Sequence, residues 1–149
     1  MSTFKPLFAS ACLIVSTSVL MATTAMAEVA ISDAWVRATA PGQKVGAAYM
    51  TLTSDIDNTL VAVSSPNAGE VEIHSMTMNN GVMKMRMLKA LPLTANKPEK
   101  LAPGGFHLML FDLKAGLKAG EKVKFVLDFK DKADKITQQT VELPIKEAQ

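Results

Sequence analysis

Cysteine is almost absent from this chain, in which Cys12 is the only one among 149 residues. A disulfide within the chain is therefore excluded, and the fold has to rest on its hydrophobic core alone. No cysteine occurs over residues 28–149, so this part of the chain lacks the thiolate ligand that blue-copper electron-transfer centres need and the usual ligand of structural zinc sites.

Concentrated positive charge is also missing. The net charge is only +2, and no block of basic residues interleaved with aromatic side chains occurs. We therefore expect no nucleic-acid partner. The two histidines are not placed with a carboxylate and a nucleophile at a spacing typical of hydrolases, so we expect a protein that is not an enzyme.

Long apolar runs are limited to the N-terminus. Lys5 is the only charge there, an apolar run follows over residues 6–20, and Ala25-Met26-Ala27 has the small-residue pattern of a cleavage site. This combination predicts a secretory signal peptide over residues 1–27, because the run is too short for a membrane span. Cys12 lies inside the run, so we interpret it as removed with the signal and not as a lipoprotein site.

The predicted mature chain, residues 28–149, has the length of one domain. Export by a signal peptide indicates a periplasmic protein without stable membrane insertion. We expect it to be a monomer.

Sustained helical periodicity is missing as well, and short β-rich runs recur instead between turn residues. About eight or nine strands in one domain predict an all-β fold, a Greek-key β-sandwich or barrel. The predicted strands span residues 29–37, 47–53, 59–64, 70–78, 82–88, 106–111, 121–129 and 136–143.

Methionine, by contrast, is abundant and clustered. Six of the seven methionines after residue 27 lie between Met76 and Met109, together with both histidines, His74 and His107. Thioether sulfur is a soft, uncharged ligand that favours Cu(I), and a set of neutral imidazoles and thioethers leaves the site with a charge of only about +1. The cluster therefore indicates a copper site.

The pleat predicts which of these side chains share a face. His74 and Met76 lie on one face of their strand, and His107 and Met109 share a face of another. Asn79-Asn80-Gly81 is a hairpin signal that leaves two registers open. His74 faces Met85 in one, whereas in the other His74 faces Met87 and Met76 faces Met85. In either register the histidines and the methionines lie on the same exposed face. A three-residue loop would shift the pairing by one residue and place them on opposite faces.

Each of these methionines and histidines, taken alone, has a simpler structural explanation. Methionine alternating with Lys and Arg is more often half of a buried strand face than a ligand, and a lone strand histidine is more often structural. An exposed methionine surface could also bind hydrophobic partners. These interpretations do not account for two histidines in phase with the methionines, because Val71, Ile73 and Leu108 already supply the opposite, core-facing side.

The spacing His74-x10-Met85-x21-His107-x-Met109 resembles the signature of the PCu(A)C-type periplasmic copper chaperones. Similarity extends to Asp33-Ala34-Trp35-Val36-Arg37, to Pro41-Gly42 followed by Ala47-Ala48-Tyr49-Met50, and to Pro103-Gly104-Gly105-Phe106-His107. It spans residues 28 to about 145.

The resemblance implies a cupredoxin-like β-sandwich that binds one Cu(I) through His74, Met85, His107 and Met109. It also implies copper delivery to an accepting protein, either a cytochrome c oxidase subunit or a Sco-type protein, during oxidase assembly. Met76 is the alternative ligand, and the other methionines of the cluster are expected at the rim. The last residues, 144–149, contain no His or Met, so a Cu(II) site of the kind found in the tails of some relatives is not expected.

Two copper functions fit the same residues. One is delivery of Cu(I) to an acceptor, and the other is buffering or resistance, in which periplasmic Cu(I) is stored without dedicated delivery. A third interpretation is a structural or adhesion-type sandwich with an incidental methionine face.

Overall fold

The structure is a computed structural model that describes residues 28–147. Alternation of β-branched and aromatic residues with polar ones produces ten strands, separated by turns rich in Gly, Asn and Pro. The strands are β1 (Val29–Arg37), β2 (Gly46–Ser54), β3 (Asn58–Ser64), β4 (Glu70–Asn79), β5 (Val82–Leu88), β6 (Leu91–Leu93), β7 (Glu99–Leu101), β8 (His107–Phe111), β9 (Lys122–Asp131) and β10 (Ile136–Lys146).

The strands form one hydrogen-bonded path with two antiparallel parts. The first part has the order β5-β4-β8-β2-β1, with β7 also paired to β2, and the second has the order β10-β9-β3-β6. A short parallel pairing of β1 with β10, at Val36↔Ile145 and Arg37↔Lys146, joins the two parts. Neighbours that are distant in sequence, such as β8 and β2, require the long crossovers of a Greek-key fold. The all-β prediction is confirmed.

One hydrophobic core draws on both parts of this path. Strand β9 shows how the sequence builds it, because Val123, Phe125, Leu127 and Phe129 are buried while the residues between them are more exposed. Burying each such side chain contributes about 1.5–3 kcal/mol, which is how a chain without disulfides reaches a stable fold. Leu108 and Ile73, on β8 and β4, belong to the same core.

The observed strands follow the predicted ones, with end points that differ by at most a few residues. The predicted number is too low, because β6 and β7 are additional strands of three residues each. No helix in the described part of the chain is long and apolar enough to cross a membrane. The predicted signal peptide and Cys12 lie outside the described residues, and the assignment of residues 28–149 to one domain stays a prediction.

Candidate metal centre

The β4–β5 hairpin fixes the register of the methionine cluster. Asn80 and Gly81 form its two-residue turn, with φ of 50° and 76°. A type I′ turn needs positive φ at both central residues, and Asn-Gly is the preferred pair for it. The structure therefore has the second of the two registers, in which His74 lies opposite Met87.

Pairing across β5, β4 and β8 brings the predicted ligands onto one face of the sheet. His74 lies directly opposite His107. Met85 lies opposite Met76, one diagonal position away from His74. Met109 is the next residue on the same face of β8 as His107. All four predicted ligands thus lie on adjacent positions of three neighbouring strands.

The His107 ring is held by the backbone just before its own strand. Its Nδ1 lies 3.0 Å from the carbonyl oxygen of Gly105. A carbonyl oxygen can only accept, so Nδ1 carries the proton and donates it. This leaves Nε2 as the unprotonated nitrogen that can bind a metal. The backbone N–H of Met76 donates to the same Gly105 oxygen, which ties this loop to β4.

The His74 ring is held through the other ring nitrogen, Nε2, by a carboxylate. Its Nε2 lies 2.6 Å from Oε2 of Glu72, two residues earlier on the same face of β4. Because a carboxylate accepts, Nε2 donates, and in the neutral ring Nδ1 is then the unprotonated nitrogen. Nδ1 is buried and has no hydrogen-bond partner. Buried polar atoms are nearly always paired, so an unpaired ring nitrogen of this kind is consistent with a metal ligand.

The two rings are close enough to share one ion. Their centroids lie 5.8 Å apart, with an angle of 35° between the ring planes. Metal–imidazole nitrogen bonds are about 2 Å long, so this separation is short enough for both rings to reach one ion. Glu72 and the Gly105 carbonyl would then be the second groups that orient each imidazole, as is common for histidines that bind metals.

A surface cavity of about 300 Å³ lies beside the rings. Met85, His107 and Met109 line it, and Met76 contributes a further thioether. His74 does not line this cavity. The structure thus gathers three of the predicted ligands around one space and places the fourth next to it, opposite His107.

The charge around the cavity favours an ion of low charge. Arg37 lines its wall and lies over the ring of Tyr49, 5.7 Å from the centroid. Coulomb repulsion from a guanidinium is twice as large for a divalent ion as for a monovalent one at the same distance. Within residues 28–147 no group of three or more His, Cys, Asp or Glu side chains is arranged to hold a metal. Soft neutral donors are the available ligands.

The imidazole and thioether side chains differ in exposure. The prediction that they share an exposed face is wrong for the two histidines. His74 and His107 are only 9% and 4% exposed, whereas Met85 is 47% exposed. Met109 is half-buried. The pleat predicts which side chains share a face, but it does not show which neighbouring strands and loops cover that face. The site is a buried pair of imidazoles with an open thioether edge.

Sequence reasoning did not identify two features of this site. The role of Glu72 as hydrogen-bond partner of His74 was missed, although its position on the same strand face was visible in the two-residue spacing. The position of Arg37 was also missed, because it depends on the long-range pairing of β1 with β2. No local pattern indicates that contact.

Comparison with known proteins matches this chain to one family. The family model described as "Putative lipoprotein LpqE-like" matches residues 29–145. The "Putative lipoprotein Lxx21020" of Leifsonia xyli subsp. xyli is 34% identical over 104 residues, which are 69% of this chain and 63% of that protein. The chain thus spans less than two thirds of the length of this curated relative.

Solved structures agree with the family match. The apo PCuAC domain from PmoF1 superposes with a TM-score of 0.63 at 26% identity, covering 81% of this chain and 98% of that domain. The solution structure of Cu(I)-DR1885 from Deinococcus radiodurans has a TM-score of 0.60 at 34% identity and covers 76% of this chain and 75% of that one. These neighbours confirm the cupredoxin-like fold class. The chain belongs to the LpqE-like family, which is the PCuAC family.

Proposed function

We propose that the protein is an exported copper chaperone that binds one Cu(I) through His74, Met85, His107 and Met109. The observation that carries the proposal is the buried Nδ1 of His74, which has no hydrogen-bond partner and belongs to a ring whose centroid lies 5.8 Å from that of His107. The relative solved with Cu(I), at 34% identity, supports the identity of the ion. The names of the relatives support export, and we place the protein in the periplasm.

Ligand exchange is the proposed mechanism of release. The imidazoles are buried, whereas Met85 is 47% exposed at the open edge of the site. An incoming thiolate can therefore replace the Met85 thioether first, and it binds Cu(I) more strongly because it is charged and soft. The buried imidazoles hold the ion until this replacement begins, so copper passes to the acceptor without entering solution.

The proposed acceptor is a cytochrome c oxidase subunit or a Sco-type protein, reached during oxidase assembly. All four ligands are neutral, so the site can empty without leaving an unpaired ligand charge. The chain acts as a carrier of Cu(I) and catalyses no reaction. We further propose that it is a monomer, with no nucleic-acid partner and no stable membrane insertion.

Competition titration of Cu(I) against a chromophoric chelator tests the binding site directly. Wild-type protein should withhold one equivalent of Cu(I) from the chelator, and His74→Ala should bind it far more weakly. Substitution of Ser75, the next residue on the opposite face of β4, by Ala is the matched control. Equal affinity of wild type and His74→Ala would end the proposal.

Acid should weaken binding. Imidazole binds a metal only when neutral, and protons compete with the ion for the free nitrogen, whereas thioethers do not titrate. We therefore expect Cu(I) affinity to fall as the pH is lowered from 7 to 5. The same titration, repeated at intervals across this range, measures the effect. An affinity that does not change with pH would argue against histidine ligands.

Deletion of the gene separates delivery from buffering. Under delivery, the deletion strain should lose cytochrome c oxidase activity, and added copper should restore it. Under buffering, oxidase activity should stay normal and the strain should become sensitive to copper. Complementation with wild type and with the His74→Ala variant shows whether the phenotype depends on this site.

A further inference from the structure

Two methionines at the end of the β4–β5 hairpin belong neither to the core nor to the four proposed ligands of the first site. Met78 and Met83 are 70% and 58% exposed. They lie directly opposite each other, one residue pair before the Asn80-Gly81 turn. Together with Met76 they are called the tip methionines below. Exposed apolar side chains at paired positions of a hairpin end contribute little to folding.

The hairpin register brings these side chains close together. The turn closes with a hydrogen bond between Asn79 and Val82, and hydrogen-bonded and non-hydrogen-bonded pairs alternate from there. Met78–Met83 is therefore a non-hydrogen-bonded pair, in which the Cα atoms are only about 4.5 Å apart. Met76 follows on the same face of β4, about 7 Å along the strand. Met76 and Met83 both line the surface cavity.

Three flexible thioethers at neighbouring positions on one face of the hairpin can supply a ligand set for a soft monovalent ion. Methionine has three rotatable bonds and adapts its sulfur position easily. Lys84 and Arg86 alternate with the methionines of β5 and therefore point to the opposite face of the hairpin. No carboxylate belongs to the set, so hard divalent ions have no suitable ligand there.

We propose that Met76, Met78 and Met83 form a second site that binds Cu(I) or Ag(I) through thioethers alone. This goes beyond the proposed function, because the second site uses none of the four ligands of the first. It is weaker than the first site, since it has no imidazole and its exposed side chains lose rotamer freedom when they bind. Its position at the open edge makes it the first contact for an arriving ion.

Titration with Ag(I), a soft ion with the same charge as Cu(I) and no redox chemistry, tests the second site. The ε-methyl NMR signals of labelled methionine report each thioether separately. Wild-type protein should bind two equivalents: Met85 and Met109 respond in the first step, and the tip methionines respond in a second, weaker step. Saturation after one equivalent with unmoved Met78 and Met83 signals would overturn the proposal.

Substitutions show which residues are responsible for each binding step. Met78→Leu/Met83→Leu should bind one equivalent with an unchanged first step. His74→Ala/His107→Ala should lose the first step and keep the second, so failure of the two sites is distinguishable. Met50→Leu, at a buried methionine outside the cluster, is the control for methionine replacement and should keep both steps. A second step that survives in Met78→Leu/Met83→Leu would also overturn the proposal.

Discussion

Replacement of both Met85 and Met109 by leucine should abolish tight Cu(I) binding while the protein stays folded. Loss of a group that merely orients a ligand commonly costs about 10–100-fold in metal affinity, so removal of two ligands should cost more than about 100-fold. Leucine and methionine have similar volumes, and such exchanges usually cost less than about 1.5 kcal/mol of stability. Chelator competition measures the affinity, and thermal unfolding of the metal-free protein measures the stability.

Single variants show whether the loss belongs to these two thioethers. Met50 is buried in the core, 1% exposed, and lies outside the cluster, so Met50→Leu controls for methionine replacement as such. Met76→Leu tests the alternative ligand, because Met76 lines the same cavity as Met85 and Met109. It should leave the tight step intact if the proposed four ligands hold the ion. A double variant that retains wild-type affinity would exclude Met85 and Met109 as ligands.

The long strands were predictable because their side chains alternate over enough residues to show a period of two. Strand β5 illustrates this, since its predicted and observed bounds are both residues 82–88. The short strands β6 and β7 were not predictable. Each has three residues, and Pro92 lies in the middle of β6, where a local pattern argues against a strand. They exist because β3 and β2 offer them pairing partners.

The strand face that carries the site was predictable from the sequence, but the burial of its histidines was not. Two-residue spacing assigns His74 and Met76 to one side of β4 wherever that strand lies in the fold. Burial of the imidazoles depends on the pairing of β4 with β8 and on the loop at Gly105, whose oxygen accepts from the Met76 N–H; both contacts join residues distant in sequence. The hairpin register was only partly predictable, because the sequence allowed two registers. Only Asn80-Gly81 places glycine in a turn that needs two positive φ angles, which favours the observed register.

The Glu72 carboxylate should set how strongly His74 binds. It accepts a hydrogen bond from Nε2–H at 2.6 Å, and in the neutral ring this favours the tautomer in which Nδ1 is the unprotonated nitrogen. Glu72→Ala should therefore lower Cu(I) affinity by about 10–100-fold, the usual cost of losing a group that orients a metal-binding histidine. Glu72→Gln should cost less, because the amide oxygen still accepts the hydrogen bond although the charge is gone.

Two measurements separate positioning by Glu72 from a general effect of charge. Glu70→Ala removes the same charge from the same strand and should leave the affinity close to that of wild type. Nitrogen-15 NMR of the metal-free imidazoles reports which ring nitrogen carries the proton. Wild-type His74 should be protonated at Nε2, and Glu72→Ala should shift the proton partly to Nδ1, because the carboxylate no longer favours one tautomer. An unchanged tautomer together with unchanged affinity would exclude the positioning role, since the hydrogen bond acts on the ion only through the ring that it orients.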